Sequence, residues 1–203
     1  MLTKSGREMI DALIAGERDT TVLAEMAKGQ LRSKIPQLQD ALAGRFNEHH
    51  ALIASSMLVR IDQIDATIET LGGRIDDLLG PYDAAVRLLV TIPGVSTRTA
   101  QVILAEISAD MSRFPTAGHL ASWAGMCPGN NESAGKRESS RTTKGSQWLR
   151  KALIEAGQAA GRTTNTYLAA QYAQIRGRRG PQRAAVAVGH SILVIAWHLL
   201  TNG

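Results

Sequence analysis

Apolar positions recur at helical spacing through the first third of the chain and predict a series of helices. One apolar stripe before Gly16 consists of Met9, Ile10, Leu13 and Ile14, and residues 22–26 mark a short second helix that ends near Gly29. Pro36 suits the first turn of a third helix, because the first helical residue needs no backbone N–H partner. The amino-terminal part of the chain is therefore expected to be helical throughout.

A heptad pattern follows this first group of helices. Its apolar residues alternate at spacings of three and four: Met57, Ile61, Ile64, Ile68, Leu71, Ile75 and Leu78. Such a repeat is typical of a coiled coil, and it ends at Gly80-Pro81. A helix that ran unbroken over 36–79 would be about 65 Å long. We expect this arm to pair with another copy of the chain, and a hairpin that folds back on itself is the alternative.

The second half begins with a predicted helical hairpin. A short helix over 83–90 leads into the turn Thr91–Val95, and Ser96 or Thr97 can cap a second helix that reaches about Ile107. Two helices joined by a Pro-Gly turn resemble a helix-hairpin-helix unit. In such a unit, the backbone N–H groups near Gly94 and Val95 would bind a DNA phosphate. The alternative is a plain helical hairpin packed in the core.

The remaining elements complete an all-α fold. The stretch 123–150 is rich in Gly, Pro and Asn and is expected to be a loop, after which Gly145 or Ser146 begins a helix. Residues 163–183 are basic and expected to be flexible around Gly177, as a nonspecific nucleic-acid contact. The apolar stretch 184–200 predicts a helix that closes the core. We divide the chain into a helical linker and coiled-coil arm, 1–82, and a compact helical domain, 83–203.

Charge changes this picture, because it is unevenly distributed. The net charge is +5, yet residues 1–90 hold 10 Lys or Arg against 13 Asp or Glu, and residues 91–203 hold 13 against 5. A basic second half favours a polyanionic partner.

The single cysteine, Cys127, excludes an internal disulfide and fits a reducing cytoplasm. The apolar stretch 184–200 is interrupted by His190 and His198, so we expect no membrane span.

The predicted loop carries the candidate chemistry. Between Lys136 and Lys151 lie six Lys or Arg residues and one acid, Glu138, with serines 133, 139, 140 and 146 among or beside them. A hydroxyl surrounded by fixed positive charge suits attack on a phosphodiester, because the cations stabilise the charge that develops on the phosphoryl group. A solvated basic loop with ordinary serines is the alternative.

The motifs around this loop resemble the carboxyl-terminal domain of transposases of the insertion sequence 110/116/902 group, the RNA-guided serine recombinases. The resemblance rests on several motifs in order: Ile92-Pro93-Gly94-Val95, Arg113-Phe114-Pro115-Thr116, Leu120 to Gly125, Pro128 to Lys136, and Arg141, Lys144, Gly145, Leu149 and Arg150. Two positions depart from the family pattern: Ala134 stands where a glycine is common, and Ser146 where Asn or Asp is common. Neither change excludes activity, since Ser caps helices nearly as well as Asn.

The resemblance implies a function and a set of site residues. It implies that Ser133 is the nucleophile that joins covalently to DNA in transposition. The residues expected to contact nucleic acid are Gly94, Val95, Lys136, Arg137, Arg141, Lys144 and Arg150. Double-stranded DNA is the expected partner in a cytoplasmic homo-oligomer, without a membrane.

The family also has an amino-terminal RuvC-like domain with four metal-binding carboxylates, which nothing in this chain resembles. Met1 falls within the family's linker region, so we expect a carboxyl-terminal part that lacks this domain. No cofactor or metal is therefore expected in the chain itself, and binding of the family's guide RNA would depend partly on the absent domain.

Three other functions stay open at this point. The chain could be a catalytically inactive remnant that binds DNA and dimerises. It could instead bind RNA through the same basic surface. A serine hydrolase of small esters is disfavoured, because the sequence lacks a G-x-S-x-G motif and His119 has no orienting partner in the sequence.

Overall fold

A computed structural model describes residues 3–127, 131–133, 136–139, 142 and 144–203. For the seven residues 131–133 and 136–139 it describes the backbone alone. The α-helices of the described chain are, in order, α1 Lys4–Ile14, α2 Thr20–Glu25, α3 Ile35–Leu42, α4 Glu48–Leu79, α5 Asp83–Val90, α6 Thr97–Ile107, α7 Ala117–Trp123, α8 Gln147–Ala160, α9 Tyr167–Arg179 and α10 Pro181–Asn202. Short 3-10 turns span Gly29–Lys34, Gly80–Tyr82 and Met111–Arg113.

The fold is all-α, as the sequence predicts, with one small addition. Two short strands, β1 Asn131–Ser133 and β2 Lys136–Ser139, pair within the segment that composition identifies as a loop. The chain divides into two compact units, 1–75 and 76–203. The functional division at 82/83 that we draw from the sequence stays a prediction.

The amino-terminal unit has a small core and one well-defined ion pair. Its buried apolar residues are Met9, Leu23, Ala24, Ala27 and Leu58. The guanidinium of Arg7 on α1 donates to both carboxylate oxygens of Asp62 on α4, each over 2.8 Å. This hydrogen bonding lowers the pKa of the Asp62 carboxyl below its usual range. The charged pair thus joins the first helix to the long fourth one.

The long helix is shorter than an unbroken arm would be. The chain leaves helical geometry between α3 and α4, and Asn47 starts α4 through a reciprocal cap. The Asn47 side chain accepts from the His50 N–H at 3.1 Å, while Nδ1 of His50 accepts from the Asn47 N–H at 3.3 Å. The predicted end at Gly80-Pro81 is confirmed, because α4 stops at Leu79.

The carboxyl-terminal unit is built around close contact between α8 and α10. A Cβ placed on Gly157 of α8 would lie 2.5 Å from the Ala185 carbonyl oxygen, and one on Gly189 of α10 would lie 2.7 Å from the Leu153 carbonyl oxygen. The two backbones therefore touch where both helices carry small residues. Around this contact the core packs Leu89, Ile103, Ile107, Leu120, Leu149, Leu153, Ile192 and Leu193, all with at most 1% of their surface exposed.

Two further helices bear on the sequence predictions. The expectation of a flexible segment around Gly177 is wrong, because Thr166 caps a helix that continues to Arg179. The final helix, α10, is long and apolar enough to cross a membrane by length and composition. Its buried residues nevertheless belong to the core of this unit, where α10 packs against α5, α7, α8 and α9. It therefore closes the core, as the sequence predicts.

The α8–α10 contact predicts a strong effect of one methyl group. We expect Gly157→Ala to lower the free energy of unfolding by about 1–3 kcal/mol, because the new Cβ would overlap the backbone of α10. Chemical denaturation monitored by circular dichroism measures the change.

Gly177→Ala is the matched control. Gly177 also lies in a helix, but a Cβ there would meet nothing within 4 Å. We expect it to raise the free energy of unfolding by about 0.5–1 kcal/mol, because alanine favours the helix. Equal effects of the two substitutions would contradict the proposed packing.

Candidate functional site

The short hairpin brings the predicted nucleophile next to a cation. Its antiparallel register pairs Ser133 with Lys136 and Glu132 with Arg137, and an irregularity follows before Asn131 pairs with Ser139. Paired residues of this kind lie opposite each other on neighbouring strands. Ser133 is thus the last residue of β1, directly opposite the first residue of β2.

The interpretation of this segment as a loop is wrong for the residues that form these strands. Both strands are short and polar, so they lack the alternation of apolar and polar positions by which sequence analysis recognises a strand. The chain has only Ala134-Gly135 between them, and two-residue connections that contain glycine are typical of hairpins. The pairing is therefore local and does not depend on a hydrophobic face.

The predicted cations of the site fall into three groups. Lys136 and Arg137 open β2. Lys144 is exposed in the segment that leads into α8, and Arg150 is half-buried in the first turn of that helix. Arg141 lies outside the described residues.

Arg150 ties together the two ends of the hairpin segment. Its Nη1 atom donates to the carbonyl oxygen of Gly125, at the end of α7, over 2.8 Å. The same nitrogen donates to the hydroxyl oxygen of Thr142, which follows β2. Arg150 therefore holds one chain position before the hairpin and one after it, a role that the sequence did not indicate. We call these two hydrogen bonds of Arg150 the tether. The predicted contact of Arg150 with a phosphate stays a prediction.

Backbone contact reinforces this tether. A Cβ on Gly145 would lie 2.3–2.5 Å from the carbonyl group of Ala124 and the nitrogen of Gly125. The segment that enters α8 therefore runs directly against the end of α7, with no room for a side chain. The ends of the hairpin segment are consequently held together by both a guanidinium and main-chain packing.

Ser146 and Glu106 form a second fixed point at the start of α8. The Ser146 hydroxyl donates to Oε2 of Glu106 over 2.6 Å, and its oxygen accepts from the Leu149 N–H at 3.2 Å. The predicted cap at Ser146 is therefore confirmed. Because both bonding directions of this hydroxyl are used, Ser146 acts in the fold. Glu106 is a half-buried carboxylate on α6 that the sequence analysis did not select.

The turn at Gly94 is positioned by packing against α8. Gly94 has a φ of +88°, and a Cβ there would lie 2.4 Å from the Ala156 carbonyl oxygen and 2.5 Å from the Ala160 nitrogen. Glycine is therefore required both by the backbone conformation and by this contact.

The backbone of this turn is also partly committed to the fold. The Val95 N–H donates to the Ile92 carbonyl oxygen at 3.0 Å, and the Val95 side chain is buried. The Val95 N–H is thus used within the turn, and contact of Gly94 and Val95 with a phosphate stays a prediction. The bounds of α5 and α6 are those predicted, but the geometry at Gly94 and Val95 is that of a packed helical hairpin.

The structure places the Gly94 turn and the Arg150 contacts at different positions along α8. Along α8, Arg150 lies six residues before Ala156 and ten before Ala160. These separations correspond to about 9–15 Å along the helix axis. The Gly94 turn therefore supports the same helix at a different level from the tether.

One side of α8 is lined mainly by polar and charged residues. An open depression of about 410 Å³ is lined by Gln147, Arg150, Lys151, Ile154, Glu155 and Gln158. Trp148, in the same first turn, keeps 65% of its surface exposed. Across the described residues there is no group of three His, Cys, Asp or Glu side chains that could hold a metal ion.

Comparison with known proteins agrees with the resemblance found in the sequence. Residues 86–173 match the family model described as Transposase IS116/IS110/IS902 family. The chain is 31% identical over 125 residues to a Streptomyces coelicolor protein named "Insertion element IS110 uncharacterized 43.6 kDa protein". It is 29% identical over 126 residues to a Sinorhizobium fredii protein named "Putative transposase y4pF/y4sB".

These similarities cover different shares of the proteins compared. They include 62% and 60% of this chain, but only 25% and 32% of the respective relatives. The family match runs from α5 into α9 and so includes the tether, the hairpin and α8. The similarity supports the transposase family for this part of the chain.

The tether predicts that Arg150 stabilises the fold. We expect Arg150→Ala to lower the free energy of unfolding by about 1–3 kcal/mol, because the Gly125 carbonyl loses a charged donor. Hydrogen exchange at the Thr142 and Lys144 amides should also become faster. Urea denaturation and amide exchange measure the two effects.

Lys144→Ala is the control for loss of a neighbouring cation. Lys144 is exposed and forms no ion pair with any residue the structure describes. Its replacement should change stability by no more than about 0.5 kcal/mol. The tether would be refuted if both substitutions left stability and exchange unchanged.

Proposed function

We propose that this chain is the serine-nucleophile domain of a DNA transposase, in which Ser133 attacks a DNA phosphodiester during transposition. The observation that carries the proposal is the pairing of Ser133 with Lys136 in a hairpin, with Arg150 bonded to Gly125 before it and to Thr142 after it. Similarity to transposases over the segment that contains this hairpin supports the same reaction class.

The proposed step exchanges one phosphoester bond for another. A bond forms between the Ser133 oxygen and phosphorus, while the bond from phosphorus to one deoxyribose oxygen breaks. The departing oxygen takes up a proton, and the covalent phosphoserine keeps the ester available for later strand joining. We expect the serine proton to pass to a base supplied by another part of the assembled transposase.

The cations of the hairpin suit this step. Negative charge grows on the phosphoryl oxygens as the serine attacks, and nearby fixed cations stabilise it without reorganising. Lys136 is the first candidate because it is the cross-strand partner of Ser133, and Arg137 follows it in β2. Lys144 and Arg141 extend the basic sequence toward α8. Arg150 acts in this proposal mainly by positioning the hairpin.

The fixed ends of the segment matter because nucleophilic attack requires accurate placement. Reacting atoms held in position can lower a barrier by about 7–11 kcal/mol in favourable intramolecular systems. Here Arg150, Gly145 and the Ser146–Glu106 bond hold the chain on both sides of the hairpin. The fold thus provides a rigid base for a short, polar, reactive segment.

A second candidate function is DNA binding without catalysis. It is supported by the charge balance of residues 91–203, which hold 13 Lys or Arg against 5 Asp or Glu. The whole protein's activity, its guide RNA, a RuvC-like domain elsewhere and a cytoplasmic location all remain predictions from the resemblance. A protein that binds DNA and pairs with active copies would use the same basic half of the chain.

We further propose that α4 pairs with α4 of a second copy. Its apolar stripe from Met57 to Ile75 stays exposed in the single chain, with between 36% and 62% of each seam residue accessible. A seam of this length with heptad spacing fits a second helix that has the same repeat. The proposed occupant is therefore another copy of this chain.

Catalysis by Ser133 predicts a covalent adduct with DNA. Ser133→Ala should abolish the adduct while leaving DNA affinity within about twofold, because one uncharged hydroxyl contributes little to salt-dependent binding. The adduct can be trapped on nicked element-end DNA, in an assembly with a full-length family member, and detected by denaturing electrophoresis and mass spectrometry.

Ser139→Ala is the matched control, since Ser139 lies in the same hairpin opposite Asn131. We expect this variant to form the adduct at a rate close to wild type. If wild type and Ser133→Ala bind DNA equally and neither forms an adduct, the non-catalytic function is correct. Loss of the adduct in Ser139→Ala but not in Ser133→Ala would assign the nucleophile elsewhere.

Pairing through the seam predicts a change of oligomeric state. Ile64→Asp should convert the proposed dimer to a monomer, because it places a charge in an apolar interface. Val59→Asp is the control, since Val59 is equally exposed but lies off the heptad positions. Sedimentation equilibrium distinguishes the two, and a wild-type monomer at micromolar concentration would refute the pairing.

A further inference from the structure

Four exposed arginines surround the corner at which α9 meets α10. They are Arg176, Arg178 and Arg179 at the end of α9 and Arg183 in the first turn of α10. Gly180, with a φ of +82°, is the single residue between the two helices. We refer to these four residues as the arginine corner. Because helices carry all four, their backbone positions are fixed.

Among the described residues, no acidic side chain forms an ion pair with the arginine corner. The sequence agrees, because residues 156–203 contain five arginines and no aspartate or glutamate. By contrast, arginines such as Arg7 and Arg87 each bind a carboxylate. The corner is therefore a surface of uncompensated positive charge.

Four neighbouring cations contribute little to the stability of the fold at this corner. Arginines at the end of α9 interact favourably with the negative end of its dipole, which accounts for part of the cluster. Arg183, however, lies at the start of α10, where the dipole is positive and a cation is disfavoured. Like charges on both sides of Gly180 also repel one another. A ligand that is itself negatively charged would remove this cost.

The chemistry of the corner favours phosphates of a duplex. All five cations after residue 155 are arginines, whose planar guanidinium groups bind phosphate oxygens in a bidentate manner. No aromatic residue occurs between 173 and 183, and the ring of Tyr172 packs against Gly161. Recognition of unpaired bases depends on exposed aromatic rings, so the corner lacks what a single strand would need.

We propose that the arginine corner is a second DNA-contacting surface, which binds the phosphate backbone of duplex DNA without reading its sequence. Such contacts position a protein on a duplex, whereas base contacts give specificity. The inference goes beyond the chemistry assigned to Ser133. It also does not need that chemistry, since a surface of this kind serves an active transposase and a non-catalytic DNA-binding protein alike.

An anionic membrane is the main competing ligand, because the apolar helix α10 follows the corner directly. The apolar residues of α10 that face the core include Val188, Ile192 and Leu193, which are fully buried against other helices. They are therefore not available to a bilayer unless the unit unfolds. Burial of these residues favours DNA over lipid.

The test measures binding of duplex DNA by the full chain with Ser133→Ala, so that no covalent step contributes. Arg176, Arg178 and Arg183 are replaced together by Gln, and fluorescence anisotropy follows binding at several salt concentrations. Each lost phosphate contact reduces the slope of log affinity against log salt by about 0.9, so we expect a reduction of roughly two to three. Affinity at low salt should fall by about tenfold or more.

Two further variants make the result specific. Replacing Arg45, Arg60 and Arg74 by Gln removes the same charge from exposed positions in the amino-terminal unit, and should change affinity by less than about threefold. Replacing the three corner arginines by Lys keeps their charge and should retain most of the salt slope. If the Lys variant loses affinity and salt slope as the Gln variant does, the positive charge of the corner is not what binds the duplex, and the proposal fails.

Parallel measurements identify the ligand. Equal losses in the corner variant and the control would show general charge attraction and overturn the proposal. Loss of binding to duplex RNA or to phosphatidylserine vesicles, with duplex DNA unaffected, would assign the corner to that ligand and overturn it as well. Failure of the Ser133 adduct assay leaves all of these outcomes unchanged, so the two proposals can fail separately.

Discussion

Close contact of other backbone segments with α8 is the constraint on which the carboxyl-terminal unit depends. Ala156, Gly157 and Ala160 give this helix a face without bulky side chains. The backbone of α10 meets this face at Gly157, and the turn that contains Gly94 meets it at Ala156 and Ala160. Larger side chains at these contacts would push the neighbouring backbones apart, and the interior is packed too tightly to absorb such a shift. The small residues therefore decide where α8 lies, and the large apolar residues around them provide most of the buried surface.

The position of α8 also determines where the chain before and after the hairpin is held. The helix begins at Ser146, whose hydroxyl binds Glu106 on α6, and its first turn carries Arg150. Arg150 reaches back to Gly125 and Thr142, so one helical turn holds the chain before and after the hairpin. A short polar hairpin has no hydrophobic face of its own and is marginal in isolation. Here the chain before and after the hairpin is bonded to a helix that the core itself positions.

The sequence predicted those elements that rest on apolar periodicity and local caps. The bounds of α5 and α6, the cap at Ser146 and the end of α4 before Gly80 all follow from signals within a few residues. The hairpin could not be predicted in this way, because its strands are polar and three to four residues long. The break before α4 depends on a reciprocal bond between Asn47 and His50, a pattern that composition does not reveal.

Gly94 illustrates a different difficulty: the sequence shows that glycine is present, but only the tertiary contact with α8 shows why. Of the candidate site, residue types were predictable, whereas the tether by Arg150 and the carboxylate of Glu106 required the fold.

The cations of this protein can be divided by whether they bind another described residue of the chain. Arg7 binds Asp62, Arg87 binds Asp83, and Arg150 binds a carbonyl and a hydroxyl oxygen, so each has a structural partner. Lys144 and the arginine corner have no ion-pair partner among the described residues, although exposed pairs would be easy to form. A surface cation contributes little to stability, and several close together repel. Their distribution therefore supports the proposal that the chain binds a polyanion. The same criterion gives Arg150 a structural role in the fold, while its contact with a phosphate stays a prediction. Arg183 belongs to the basic stretch 163–183 that the sequence already predicts to contact nucleic acid.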